Sequence, residues 1–384
     1  MSKSKKICIV VTLPAWGGAQ KYVYDLSLGC KERNVDFTVY AGHDENTKMV
    51  DKLAKEKIKC KQFKYLTRNI SPIKDLKCLF EMYLVFKKNK FDVIHLNSSK
   101  AGVIGAISAK MAGCKKVVYT AHGFVFNEDI SFVKKIVFLF LEWLSFLFTD
   151  VIISVSEYDK NSAIDSGIVS KNKIIVIYNG VKESSIDLLP KHEAKDFISK
   201  IVDQKISVDT KIIGCISNHY INKGIVYFIK SASLILKRTN RDLIFINIGS
   251  GPEKECIEKA INDEGISDKF KLLGFVDNPE KYLRAFDIYV SPSVKEGLPY
   301  SLINASFARV PVVATRVGGC SEIIEENVNG LLVPAKDPEK MSEKLIELIN
   351  NESLLEKLGK HSIFNKEKFS ENTMFNDLLK IYGL

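Results

Sequence analysis

Short apolar runs alternate with helical stretches along nearly the whole chain, and the alternation runs twice. In the first half, residues 7–11, 36–40, 93–96, 116–120 and 151–155 read as strands, with helical stretches such as 19–30, 73–88 and 102–111 between them. Apolar strands separated by helices are what a parallel sheet covered on both faces requires, because parallel neighbours can be joined only by a crossover. The pattern lapses between about residues 182 and 210, where Ser, Pro and mixed charges surround one helical stretch at 192–202. It then restarts, with strands at 212–216, 243–248, 270–273, 288–290, 312–314 and 331–333 and helices at 225–237, 253–264, 279–286 and 300–307. The expectation is an α/β chain of two Rossmann-like, doubly wound parallel-sheet domains that face a central cleft. The predicted bounds are residues 1–183, a linker at 184–208 and residues 209–370, with a last helix at about 371–384 packing back on the first domain.

At 384 residues with 46% apolar content, the chain has ample material for two cores. Its net charge of +10 suits a phosphorylated substrate or an anionic membrane. No homeodomain, zinc-finger or RNA-binding pattern accompanies the charge, so nucleic acid is not an expected partner. Eight scattered cysteines, none in C-x-x-C spacing, read as reduced thiols in a cytoplasmic protein. The opening MSKSKK and its apolar continuation read as a buried first strand and not as a signal peptide. No stretch reaches the roughly 20 apolar residues of a membrane span. Residues 132–148, FVKKIVFLFLEWLSFLF, are interrupted by Lys134, Lys135 and Glu142, and fit either a buried helix or one lying in a membrane interface.

Three turns stand where strands give way to helices. The first strand ends in a loop carrying Gly17 and Gly18, which either makes an ordinary βα turn or lets an anion approach the backbone. A second Gly-rich turn, Gly249-Ser250-Gly251-Pro252, follows residues 243–248. The third is more specific: Glu296-Gly297-Leu298-Pro299-Tyr300 follows a strand and opens a helix. The Glu296 carboxylate can accept hydrogen bonds from sugar hydroxyls, and the N–H groups around Leu298 and Tyr300 can hold a phosphate. The bland alternative is a capped turn with a solvated Glu.

The run from Asp287 to Pro299, followed by Pro311-Val312-Val313-Ala314-Thr315, Val317-Gly318-Gly319 and Glu322-Ile323-Ile324, closely resembles the GT-B glycosyltransferase family 4. Gly17-Gly18-Ala19-Gln20, Thr120-Ala121-His122-Gly123, Asn179-Gly180-Val181 and Lys223-Gly224 match it in order, and residues 122–158 look like a branch building bacterial surface polysaccharides. The resemblance implies a retaining hexosyltransferase. It would move a hexose or N-acetylhexosamine from a nucleotide sugar, UDP-linked in similar enzymes, to a lipid-linked or glycan acceptor. Glu296 matches the Glu that contacts the donor sugar, Lys223 the Lys that neutralises the leaving diphosphate, and His122 a His near the reacting sugar. Gly17 and Gly18 match the phosphate-side turn. Gly251, Gly297, Leu298, Pro299 and Tyr300 match the donor loops, and Val276 with Phe275 matches the loop beside the base.

Two positions depart from the family pattern. Asn304 stands where a second Glu grips the ribose, and Asn218 stands where an Arg precedes the Lys by five residues. Asn can still donate and accept, and Arg316 or His219 are the nearby cationic candidates. With no Asp-x-Asp pair and no metal-ligand His spacing, metal independence is expected, with no cofactor beyond the donor substrate. Peripheral contact with an anionic membrane on the cytoplasmic side follows from a lipid-linked acceptor. An inverting reaction with His122 as base, a non-catalytic nucleotide-sugar-binding or scaffold protein, and a nucleotide-sugar epimerase stand as alternatives.

Overall fold

The structure, a computed structural model, describes residues 5–362 and 365–384, so the first four residues of MSKSKK lie outside it. The chain forms two compact units, one running to Gly180 and taking up Glu371–Leu384 again, the other Val181–Ser370. The stretch read as a linker falls within the second unit. Its helix Lys191–Ile201 packs on the 3₁₀ helix Pro279–Ala285, with the Phe197 and Tyr282 rings stacked at 3.7 Å.

The first unit holds seven parallel strands: β1 (Lys6–Val11), β2 (Asp36–Ala41), β3 (Cys60–Gln62), β4 (Val93–Asn97), β5 (Lys116–Ala121), β6 (Val151–Ser154) and β7 (Ile174–Val176). Their order is β3-β2-β1-β4-β5-β6-β7. The chain therefore starts at the centre, winds outward, and returns beside β1 to wind the other way. The switch point lies between β1 and β4, where Val11 pairs with Asn97. β3 and β7 are edge strands of three residues that the sequence pattern does not reveal. The lysines flanking Cys60 break the apolar run, as is usual at an edge.

The second unit repeats the plan with β8 (Lys211–Ile216), β9 (Leu243–Ile248), β10 (Phe270–Leu272), β11 (Ile288–Ser291), β12 (Val312–Thr315) and β13 (Gly330–Val333), in the order β10-β9-β8-β11-β12-β13. Its switch point lies between β8 and β11. Each unit has its own core: Phe63, Tyr119 and Phe146 belong to the first, Phe228, Phe245 and Leu345 to the second. Residues 279–285 fold as 3₁₀ turns and not as the expected α-helix.

The last helix, Glu371–Tyr382, belongs to the first unit and buries Phe375, Leu378 and Tyr382 completely. The Lys5 ammonium donates to the carbonyls of Tyr382 (2.9 Å) and Gly383 (2.7 Å), which answers the exposed carbonyls and negative end of that helix. A Cβ at Gly29 would lie 2.5 Å from the Phe375 ring. Gly29→Ala is therefore expected to destabilise the first unit by roughly 1–3 kcal/mol, read as a shift in the urea or thermal midpoint. An unchanged midpoint would show that this helix is not held where described.

Candidate active site

In a doubly wound sheet the loops at the switch point diverge and leave a crevice at the strands' carboxyl ends. In the second unit that crevice is flanked by the loop after β8, which carries Asn218, His219 and Lys223, and the loop after β11, which carries Ser293 to Pro299. An ion pair joins them: Lys223 Nζ lies 2.7 and 2.8 Å from the two oxygens of Glu296. The Ser293 hydroxyl donates to Glu296 Oε1 at 2.6 Å, and Val294 N–H donates to the Asn222 carbonyl at 2.9 Å. Glu296 keeps 10% of its side-chain surface exposed and Lys223 keeps 26%, so the pair is half sheltered yet reachable. Gly224 has φ +65°, and a Cβ there would meet the Pro292 carbonyl at 2.1 Å. Only glycine lets the Lys223 loop fold this tightly onto the Glu296 loop.

The remaining sites predicted for this unit gather at the same edge. Gly251 lies so close to His219 that a Cβ would stand 2.5 Å from the His219 carbonyl. Gly249 N–H donates to the Gly274 carbonyl at 2.9 Å, tying this turn to the loop that carries half-buried Val276 and exposed Phe275. Gly297, Leu298 and Pro299 are buried and lead into the helix Tyr300–Phe307, which carries buried Tyr300 and Asn304. Asn304 Oδ1 is buried with no hydrogen-bond partner among the described residues, so this position holds an unused acceptor. Arg316 is engaged with Glu326 at 3.1 Å. His219 is buried, with Nε2 2.7 Å from Asn247 Oδ1. Asn218 is half-buried in the same loop.

In the first unit, Gly17 caps the helix Gly18–Glu32, whose first turn carries no acidic side chain. A Cβ on Gly18 would meet nothing within 4 Å. The space beside Gly18 is open, whereas Gln20 Oε1 lies 3.0 Å from where a Cβ on Gly17 would stand. His122 follows β5, with Nε2 3.1 Å from Asn97 Oδ1 and its ring edge-on to Tyr22 at 4.8 Å. The Asn97 amide donates to the Val10 carbonyl, so its oxygen accepts and His122 Nε2 donates. Desolvation pulls His122 down to about 3, which makes it a neutral imidazole at physiological pH. Behind it, fully buried His95 bonds the Tyr382 hydroxyl at 2.5 Å and the Thr120 hydroxyl at 2.7 Å. Burial first, and the neighbouring His122 second, pull His95 down to about 3. Asn97, Ser293 and Asn247 were not predicted as site residues. Their signal is a polar residue at or just past the end of an apolar strand.

The helix Phe132–Leu147 is inverted. Its buried residues are Glu142, Ser145 and Phe146, whereas Phe132, Val133, Ile136, Val137, Phe140, Trp143 and Leu147 are exposed, Phe132 by 76%. Of the two alternatives for this stretch, a buried or an interfacial helix, the buried one does not hold: the Tyr119 hydroxyl donates to Glu142 inside the unit while the apolar stripe faces out. The helix Pro72–Asn89 exposes Ile73, Leu76, Phe80 and Leu84 in the same way, and both helices pack against the helix Ser99–Met111. No helix among the described residues is long and apolar enough to cross a membrane.

Residues 16–185 match the family model "Glycosyltransferase Family 4" and residues 196–363 match "Glycosyl transferases group 1". A protein from the cps region of Klebsiella pneumoniae is 32% identical over 85% of this chain and 88% of its own length. The chain belongs to the family 4 glycosyltransferases. Escherichia coli UDP-Gal:alpha-D-GlcNAc-diphosphoundecaprenol alpha-1,3-galactosyltransferase is 29% identical to this glycosyltransferase over 75% of this chain and 74% of its own. The crystal structure of Anabaena HepE in complex with UDP and glucose superposes with a TM-score of 0.84 at 19% identity, covering 99% of both chains. The glycosyltransferase thus has the GT-B fold.

The histidine pair makes the first unit acid-sensitive. Unfolded His95 takes up a proton near pH 6.5 and folded His95 only near pH 3, so between these values the unfolded chain binds more protons. Stability is therefore expected to fall as pH drops below about 6.5, by about 3 kcal/mol from this residue by pH 4. Denaturant unfolding at pH 7 and pH 4 checks this, and His95→Gln should reduce the difference by the share of His95, leaving that of His122.

Proposed function

We propose that this glycosyltransferase moves a hexose or N-acetylhexosamine from a UDP-linked donor to a lipid-linked glycan acceptor. The transfer keeps the donor's anomeric configuration and uses no metal or other cofactor, and it serves surface polysaccharide synthesis on the cytoplasmic side of the membrane. The observation that carries the reading is the Lys223–Glu296 pair across the switch point, with Ser293 behind it. Without donor, the two charges satisfy each other. When donor enters, sugar hydroxyls donate to Glu296 and the diphosphate takes Lys223, whose ammonium then faces the charge that grows on the leaving group. The N–H groups opening the Tyr300–Phe307 helix add partial positive charge for the phosphates. Asn304 offers its unused oxygen to a ribose hydroxyl.

His122 favours retention over inversion. A base whose proton affinity is held near pKa 3 is a poor acceptor for an acceptor hydroxyl's proton. The leaving phosphate takes that proton in a front-face reaction, and neutral His122, which donates from Nε2 to Asn97, turns its other nitrogen to hydrogen bonding. The printed name of the E. coli relative, with its UDP-linked donor and diphosphoundecaprenol acceptor, supports the reading of a UDP-linked donor and a lipid-linked acceptor.

The inverted helix supports the lipid-linked acceptor. Exposed Phe132, Ile136, Phe140 and Trp143, with Lys134 and Lys135 beside them, form an apolar and basic face suited to anionic lipid.

Purified protein with UDP-sugars and a polyprenyl diphosphate sugar acceptor tests the chemistry. Lys223→Ala and Glu296→Ala are each expected to cut kcat/KM by about 100-fold or more, and the product's anomeric coupling should match the donor's. Wild-type activity in both variants would remove Lys223 and Glu296 from the chemistry, and absence of transfer by the wild-type protein would leave only a binding or scaffold role. Flotation with phosphatidylglycerol vesicles tests the membrane face: Phe132→Ser/Ile136→Ser/Phe140→Ser should abolish co-flotation and leave donor hydrolysis unchanged. Equal flotation by the variant counts against the assignment.

A further inference from the structure

A cavity of about 640 Å³ opens on the second unit, lined by Glu183, Asp187, Leu188, Arg284, Phe307 and Arg309 among others. Arg284 lies in the 3₁₀ helix that leads into β11, and Arg309 lies in the turn between the Tyr300–Phe307 helix and β12. Both precede strands. Lys223 and Glu296 follow the strands β8 and β11, so the cavity and the donor residues lie at opposite edges of one sheet.

The charge balance of the cavity points to an anion. Glu183 is paired with Lys366, and Asp187 accepts from Lys281 at 2.7 Å. Neither guanidinium has a hydrogen-bond or ion-pair partner among the described residues, and both side chains reach solvent. Helices end at this edge with their negative poles, which by themselves would repel an anion. Two full positive charges outweigh such half-charges. Phe307 and Ile186, both largely buried, supply an apolar wall.

Arg309 also occupies an unfavourable backbone position. Its φ is +61°, just past the end of a helix where glycine is the usual residue. Val310 N–H returns to the Ala305 carbonyl at 3.1 Å and Arg309 N–H to the Ser306 carbonyl at 3.0 Å, which closes the helix end. Glycine would satisfy this geometry better, so the side chain is what an arginine adds here.

We propose that this cavity is a second ligand site, separate from the donor site, which binds a small phosphate monoester. The forks of Arg284 and Arg309 match a phosphate dianion in charge and donor geometry, and Phe307 with Ile186 packs against the carbon skeleton. The volume suits a molecule of sugar-phosphate size.

Isothermal titration of the full chain with ribose 5-phosphate tests this. Wild type and Lys223→Ala should bind alike, because the donor residues take no part. Arg284→Gln/Arg309→Gly should bind at least tenfold more weakly, and Arg309→Gly alone should weaken binding in the same direction. Because glycine suits φ +61°, the Arg309→Gly protein is expected to unfold at the wild-type temperature or above, which separates lost binding from lost fold. Absence of binding to wild type, unchanged affinity in the double variant, or loss in Lys223→Ala would each overturn the proposal.

Discussion

Parallel strands impose a direction on everything in this chain. Each strand must be followed by a crossover before its neighbour can form, so every strand in a unit delivers its loop to the same edge. Starting each sheet at its centre then forces one gap between outgoing and returning loops, between β1 and β4 and again between β8 and β11. Glu296 and Lys223 are 73 residues apart in sequence and meet because their strands flank such a gap. The same rule sends Gly17, Gly18, Asn97 and His122 to one edge of the first sheet.

The edge of the second sheet is electrostatically poised. A lysine and a glutamate left unpaired in a half-sheltered crevice would each carry a desolvation cost, and pairing them offsets it. The pair is also exchangeable, since both partners keep contact with solvent. A ligand with anionic and hydroxyl groups can replace each half of the pair without stranding the other. The first unit handles polar groups differently. His95, Thr120 and Tyr382 are closed off from water and satisfy one another, which fixes the C-terminal helix against the strands.

Much of this was legible in the sequence. The central strands are continuous apolar runs, and their spacing marked out both sheets. The glycine and proline punctuation after 248 and 291 located the donor loops. Other features were hidden for physical reasons. β3 and β7 are too short to carry a pattern and exist because β2 and β6 offer open edges. The 132–147 segment is apolar enough to look buried. Composition alone does not say which face turns inward, and there the inward face carries Glu142. Asn97 and Ser293 act through partners distant in sequence, His122 and the Lys223-bound carboxylate, so no local pattern marks them. Asn218 and Asn304 were visible as departures, and the unused oxygen of Asn304 shows only in three dimensions.

The helix Glu371–Tyr382 completes a core that the first residues of the chain begin, with Lys5 and Gly29 against it. Synthesis runs the other way. While the chain emerges from the ribosome, the first unit has its seven strands long before it has Phe375, Leu378 and Tyr382, and His95 waits for its phenol partner. The second unit, continuous from Val181 to Ser370, has no such gap in its supply. The unit translated first is therefore the one that must finish folding last, because it waits for residues 371–384.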